Sequence, residues 1–231
     1  MLTSLISGEP VQLAEGFAPD ITKTVCISGH RAKSIAPYNG NPVYQNITAA
    51  AVKLLLGRYI DMAAERGYVS FISGLATGTD LWAAEHIIRK RSQNSSIQLI
   101  GAMPYLRHAE RFSAADKRLL AEVEREADLL ITVDPDPDIV YSKTHGRGSR
   151  DLYRNRNYYM VDNSAAVIAF FNSDETFSGT AQTLNYASRR GRKICRFGLE
   201  DVYRIIDRSG TDLRNIARTI SFLDNVFDKS L

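Results

Sequence analysis

Only two of the 231 residues are cysteine and one is tryptophan, no apolar run is long enough to span a bilayer, and neither sign of charge dominates. Each shortage excludes something. Cys26 and Cys195, each set in a short apolar run, make neither a disulfide framework nor a metal cluster, and a thiol so placed packs as a small buried hydrophobe. Without some 18 consecutive apolar residues there is no candidate membrane span, and the first residues lack the basic region and apolar stretch of an export signal. A reducing, cytoplasmic setting without metal or membrane contact is therefore expected. With 29 Lys and Arg against 26 Asp and Glu the formal charge is +3. That permits an anionic ligand but falls short of the basic excess of a dedicated nucleic-acid binder.

What is present is the composition of a folded chain, 44% hydrophobic and 24% charged, of a length that suits one domain with a full core. Apolar, β-rich runs recur at Thr24 to Ser28, Val69 to Ser73, Ile97 to Ala102, Leu129 to Val133, Ala165 to Phe171 and Lys193 to Phe197. Helical patterns separate them, which predicts an α/β fold on a parallel sheet. The runs are nearly continuous rather than alternating, so helices should cover both faces and make three layers.

The first helix is signalled by Asn41, Pro42 and Gly67, with the stripe Ile47, Ala51, Leu54, Leu55, Tyr59 and Met62 at a period near 3.6. A second begins near Thr79 with Leu81, Ala84 and Ile88 inward. A third runs through Phe112, Ala115, Leu119 and Val123, a fourth spans Asp151 to Asn163, and a fifth runs from Gly179 to Arg190 and ends at Gly191. Residues 1–23 show no clean period and are read as an extended arm, residues 24–199 as the domain, and residues 200–231 as a helical tail packing on it. Asp134 to Gly148 reads as a long loop beside the ligand site.

In an open parallel sheet, ligands bind beyond the carboxyl ends of the strands, where loops converge and helix N-termini aim free N–H groups outward. The first strand is followed by Ser28-Gly29-His30-Arg31, in which Gly29 permits close approach and Arg31 suits a phosphate; a plain turn with a surface His30 and Arg31 is the alternative. The second is followed by Ser73-Gly74-Leu75-Ala76-Thr77-Gly78-Thr79-Asp80. Its glycines and small hydroxyl residues can wrap an anion with backbone amides, Thr77 and Gly78 included, and Asp80 either meets the ligand or simply suits the first turn of a helix. The loop is neither a Walker loop nor the strict dinucleotide fingerprint. A third turn, Ser178-Gly179-Thr180, opens the fifth helix. One glycine turn is weak evidence, but three at strand ends are stronger. Arginines cluster at Arg147, Arg150, Arg154 and Arg156, and Arg154-Asn155-Arg156 lies in a segment dense in donors and rings, suited to stacking on a base or neutralising phosphate. A solvated helix with one tyrosine face buried is the alternative there.

From about Thr24 to Phe197 the chain resembles the SLOG superfamily, and within it the YpsA-like group of bacterial and prophage proteins. The resemblance rests on Ser28-Gly29-His30-Arg31, Ser73-Gly74 through Asp80 with Trp82-Ala83-Ala84-Glu85, Met103-Pro104-Tyr105, Arg154-Asn155 with Met160-Val161-Asp162, and Ser178-Gly179-Thr180 with Tyr186-Ala187. It implies a Rossmann-like fold, a nucleotide or ADP-ribose-type ligand and, as in many relatives, a homodimer. On this reading Gly29, His30, Arg31, Ser73, Gly74, Thr77, Gly78, Asp80, Pro104, Arg154, Asn155, Ser178, Gly179 and Thr180 bind the ligand, in a sensor or regulatory protein rather than a catalyst.

Two other resemblances imply different functions. Lonely-guy phosphoribohydrolases carry a glutamate on the helix after a glycine-rich turn, whereas Gly179-Thr180 here is followed by Ala181-Gln182-Thr183, and an amide cannot act as a general base. Glu85 or Glu175 is the substitute that such an enzyme would need. The DNA-processing protein A family, which binds single-stranded DNA, is similar at Ser73-Gly74-Leu75-Ala76 and Arg154-Asn155-Arg156. It usually has arginine where Thr77 stands, and a lost cation weakens phosphate attraction.

Overall fold

Strands buried on both faces need helices on both faces, and this requirement organises the molecule. The computed structural model describes residues 2–140, 150–174 and 177–223. In chain order the strands are β1 (Leu2–Thr3), β2 (Pro10–Leu13), β3 (Thr24–Gly29), β4 (Ser70–Ser73), β5 (Gln98–Tyr105), β6 (Leu129–Asp134), β7 (Ala166–Phe170) and β8 (Lys193–Phe197). They form one sheet in the order β1-β2-β6-β5-β4-β3-β7-β8, parallel throughout except for β1 against β2.

The helices α1 (Gln45–Glu65), α2 (Thr79–Arg91) and α3 (Ala114–Glu126) connect β3 through β6; α4 (Arg150–Asp162) and α5 (Gly179–Arg189) lead to β7 and β8. Alternate strand residues face two cores. Val25, Ile27, Phe71, Leu99 and Ile168 pack with α1, α2 and α3, while Cys26, Ile72, Ile100 and Val167 pack with Met160, Val161, Leu184 and Ala187 of α4 and α5. The last helices, α6 (Leu199–Ser209) and α7 (Leu213–Ser221), join the first core through Val202, Ile206, Ile216 and Ile220. This is the three-layer Rossmann-like arrangement that the sequence predicts.

The chain walks outward from β3 to β6, then returns to lay β7 on the other side of β3. The order therefore reverses between β3 and β7, the position at which such sheets open a crevice for ligands.

Three details differ from the sequence reading. Residues 2–13 of the arm supply two strands, β1 and β2, too short to show a period. In α3 the buried residues are Leu120, Ala121, Val123 and Glu124; Ala115 is exposed and Phe112 precedes the helix. Ser113 caps the helix, its Oγ accepting from Asp116 N at 3.1 Å. Glu124 is tolerated inside because Ser4 Oγ donates to its Oε2 at 2.6 Å. In α2 it is Ile87 that is buried, with Ile88 half-exposed. Residues 141–149 of the long loop, including Arg147 and Gly148, and Glu175 lie outside the described residues. Among the described residues no helix is long and apolar enough to cross a membrane, and no cluster of metal-type ligands occurs. Cys26 and Cys195 are both buried.

Candidate functional site

The exits of β3 and β7 are locked side by side at the reversal point. Gly29 is in register with Phe170, and His30 N donates to Phe170 O at 3.2 Å. The buried His30 ring lies against Phe171, with centroids 5.5 Å apart and planes 25° apart. Its carbonyl accepts from both the amide and the hydroxyl of Thr79, at 3.3 and 2.8 Å. Gly29 makes this possible, since a Cβ there would lie 2.5 Å from the Thr79 side chain. Arg31 is exposed and opens a short turn, Ala32–Ser34.

The turn after β4 is built around its own polar groups. Ser73 Oγ donates to Asp80 O at 2.9 Å and accepts from Leu75 N at 3.2 Å. Leu75 is buried in the left-handed region at φ 56°, a conformation that costs a branched residue about 1–3 kcal/mol and persists only when its surroundings impose it. Gly78, at φ 91°, lets the turn touch the β3 exit: a Cβ there would meet Ala32 N and Arg31 Cα at 2.8 Å and His30 O at 2.9 Å. The N–H groups of Thr77, Gly78 and Asp80 donate to no acceptor among the described residues, and the positive end of α2 lies there, with Thr77 half-buried and Gly78 and Asp80 buried.

Beneath the turn lie two buried charges. Arg156, 4% exposed, donates through Nη1 to Gly74 O and, at 3.1 Å, to Ala102 O. Asp80, 6% exposed, accepts from Ala76 N at 3.4 Å. A Cβ on Gly74 would overlap the guanidinium and come within 2.5 Å of Asp80 Oδ2, so glycine is what lets both groups reach this spot. Burial raises the Asp80 pKa to about 6, against the pull of Arg156, the Ala76 amide and Arg31. Burial likewise lowers that of Arg156, which Asp80 partly offsets. Nearby, His108 is buried with Nδ1 at 3.2 Å from Tyr105 O; burial and the Arg156 charge push its pKa down to about 3, so it is neutral.

A chain of hydrogen bonds runs from this floor to the third glycine turn. Arg156 Nε donates to Asn157 Oδ1 at 2.8 Å, Asn157 Nδ2 donates to Thr183 Oγ1 at 2.9 Å, and Thr183 Oγ1 donates to Gly179 O at 2.8 Å. Ser178 caps α5, accepting from Ala181 N at 3.1 Å, while the amides of Gly179 and Thr180 donate to no acceptor among the described residues. The turns near residues 30, 75 and 179 are thus joined on one sheet edge.

The remaining predicted residues sit around this frame. Pro104 is buried near the end of β5, where pairing with β4 has already stopped at Gly101 and a missing N–H is tolerated. Arg154 pairs with Asp151 at 2.8 Å, and Asn155 is exposed; neither hydrogen-bonds to the turns among the described residues. Glu85 sits inside α2 and faces Arg89 at 3.5 Å. Arg156 lies in the Arg154-Asn155-Arg156 motif but not among the expected ligand residues, and motif reading leaves out Asn157 and His108. Helical phase is the signal that finds Arg156: it lies four residues before Met160, on the face that α4 buries.

Comparison with known proteins finds similar chains. The SPbeta prophage-derived protein YoqJ of Bacillus subtilis is 32% identical over 139 residues, 58% of this chain and 78% of that protein. The UPF0398 protein BH1768 of Halalkalibacterium halodurans is 23% identical over 153 residues, covering 66% and 74% of the two chains. Among solved structures, DNA processing protein A from Streptococcus pneumoniae superposes with a TM-score of 0.47 at 18% identity, over 85% of this chain and 61% of that one. The family model described as the YspA SLOG family, named YpsA, matches residues 25–197, and the chain belongs to that family.

Proposed function

We propose that this protein binds a nucleotide or nucleotide-derived ligand of ADP-ribose type at the carboxyl edge of its sheet, as a cytoplasmic sensor or regulatory protein. The observation that carries the reading is the junction of the β3 and β4 exits. Gly78 packs against the backbone of residues 30–32, and beside it stand the amides of Thr77, Gly78 and Asp80, which donate to no acceptor among the described residues. Amides at a helix N-terminus favour phosphate oxygens, and no lysine is needed for this. In the proposed complex the Ser73 to Asp80 and Ser178 to Thr180 turns hold phosphates, Arg31 and Arg154 close from outside, and Gly29, Pro104 and Asn155 shape the wall. A regulatory role is favoured over catalysis because Gln182 stands on the first turn of α5 where a hydrolase of this type needs a carboxylate.

Titration calorimetry with ADP-ribose and with AMP tests the reading, together with mass spectrometry of small molecules released from the purified protein. Saturable binding that weakens about tenfold in Arg154→Ala is expected, the loss of one charge-assisted contact being about 1.5–3 kcal/mol. Unchanged affinity in that variant removes Arg154 from the site. No binding of either nucleotide and no released nucleotide overturns the proposal.

A further inference from the structure

We propose that Arg156 receives an anionic group of the ligand on the floor of this site, and that Asp80 beside it takes up one proton from solvent as the anion docks. The inference rests on the nucleotide-binding reading and adds the residue and the proton that the outer arginines do not supply. Three observations lead to it. Arg156 is held rigidly by two main-chain carbonyls and by Asn157, with Nε and Nη1 spent on the protein and Nη2 donating to none of the described residues. Asp80 lies beside it, because Asp80 Oδ2 and the Arg156 guanidinium both border the space a Cβ on Gly74 would take. Yet Asp80 and Arg156 make no contact ion pair among the described residues, and Asp80 is served by one long amide bond. A carboxylate so poorly solvated balances the buried guanidinium while the site is empty.

An arriving anion competes for the same cation. Two negative charges beside one buried guanidinium repel each other, and protonating the carboxylate relieves the repulsion. The step is a simple transfer, with one proton leaving solvent and joining an Asp80 oxygen, and no other bond changes. The Asp80 pKa near 6 places that uptake within reach at neutral pH. The other groups facing the pair are Arg31 from the β3 exit, Tyr153 on α4, His108 after β5 and Cys26 on β3. Burial keeps His108 neutral, and burial pushes the Cys26 thiol up to about 12, so neither changes charge near neutrality.

ADP-ribose is the probe of choice, because its diester pyrophosphate does not itself titrate near neutral pH. Calorimetry of the full chain in two buffers of different ionisation enthalpy should show about one proton taken up per ADP-ribose near pH 7.5, with affinity rising about tenfold between pH 8 and pH 7. Asp80→Asn should abolish both effects and bind at pH 8 about as tightly as the parent protein does in acid. If the variant fails to fold, the buffer comparison on the parent protein decides alone. Binding without proton exchange and with one affinity from pH 6 to pH 8 overturns the inference and leaves the proposed function standing. Absence of ADP-ribose binding at every pH removes the inference; the proposed function falls with it only if AMP also fails to bind and no nucleotide is released.

Discussion

Replacing Asp80 by asparagine should make the protein more stable at neutral pH, although Asp80 is the buried acid nearest to a buried arginine. The side chain is almost fully enclosed and accepts one long hydrogen bond, and its pKa rises from 3.8 to about 6 with burial outweighing Arg156. A folded-state pKa above the unfolded value means that the native protein prefers the protonated form. The ionised carboxylate therefore destabilises the fold fully above pH 6. The penalty fades as pH falls from 6 towards 3.8 and is gone below it. At 1.36 kcal/mol per pKa unit, the penalty at pH 8 is about 3 kcal/mol, a ceiling for what asparagine can recover. Asparagine keeps an acceptor for the Ala76 amide but cannot ionise. Guanidinium denaturation of both proteins from pH 4 to pH 8 provides the difference curve. It should be near zero at pH 4 and reach about 1–3 kcal/mol in favour of Asp80→Asn at pH 8. A variant less stable than the parent at pH 8 would refute the reasoning, because the Asp80 and Arg156 charges would then be a net stabilising pair.

Two further outcomes test the frame of the site. Gly78→Ala places a Cβ within 2.8 Å of main-chain atoms at a φ of 91°, so it should lose at least about 2 kcal/mol and lower Tm by about 5 °C or more. Gly179→Ala, with open space around its Cβ, should stay within about 0.5 kcal/mol of the parent; equal losses in calorimetry would show that the β3 and β4 exits do not touch as described. His108, with its pKa near 3, should remain neutral in NMR titrations down to about pH 5. Because its native pKa lies below the unfolded value of 6.5, it should erode stability as pH falls through 6.5, by up to about 5 kcal/mol near pH 3. A His108 resonance titrating near 6.5 would show an imidazole open to water.

The fold was legible because its signals are local. Continuous apolar runs mark strands covered on both faces, and all six expected runs are strands of the central sheet. The end of α5 was readable for the same reason, since Gly191 takes φ 65° just beyond it, whereas Asn41 accepts from Val43 N at 3.0 Å to cap a short turn, Pro42–Tyr44, that precedes α1. Where the reading slipped, a nonlocal partner decided. Glu124 is inside α3, where Ser4, 120 positions away, donates to its Oε2. Nor does any period announce β2, whose place depends on β6 offering a free edge.

Of the candidate site, the glycine turns and their convergence were legible in the sequence and the buried pair behind them was not, and arginine chemistry explains the difference. Arg154 and Arg156 are two residues apart, which on a helix puts them on nearly opposite faces. One reaches solvent and pairs with Asp151, and the other enters the core beneath Gly74. Composition cannot separate them, because a buried guanidinium is tolerable only where acceptors await it, and those acceptors are main-chain carbonyls of β5 and of the β4 turn that a motif does not display. Glycine at 74 is the residue that connects the two readings. Sequence motifs present it as space for a phosphate outside the turn, whereas the structure fills its inner side with a cation and an acid. A turn backed by Arg156 is more electropositive than its amides alone, and Asp80 cancels that advantage until it is protonated. On the proposed reading, charge selection therefore depends on Arg156 and Asp80 together, with Arg31 and Arg154 adding affinity from outside.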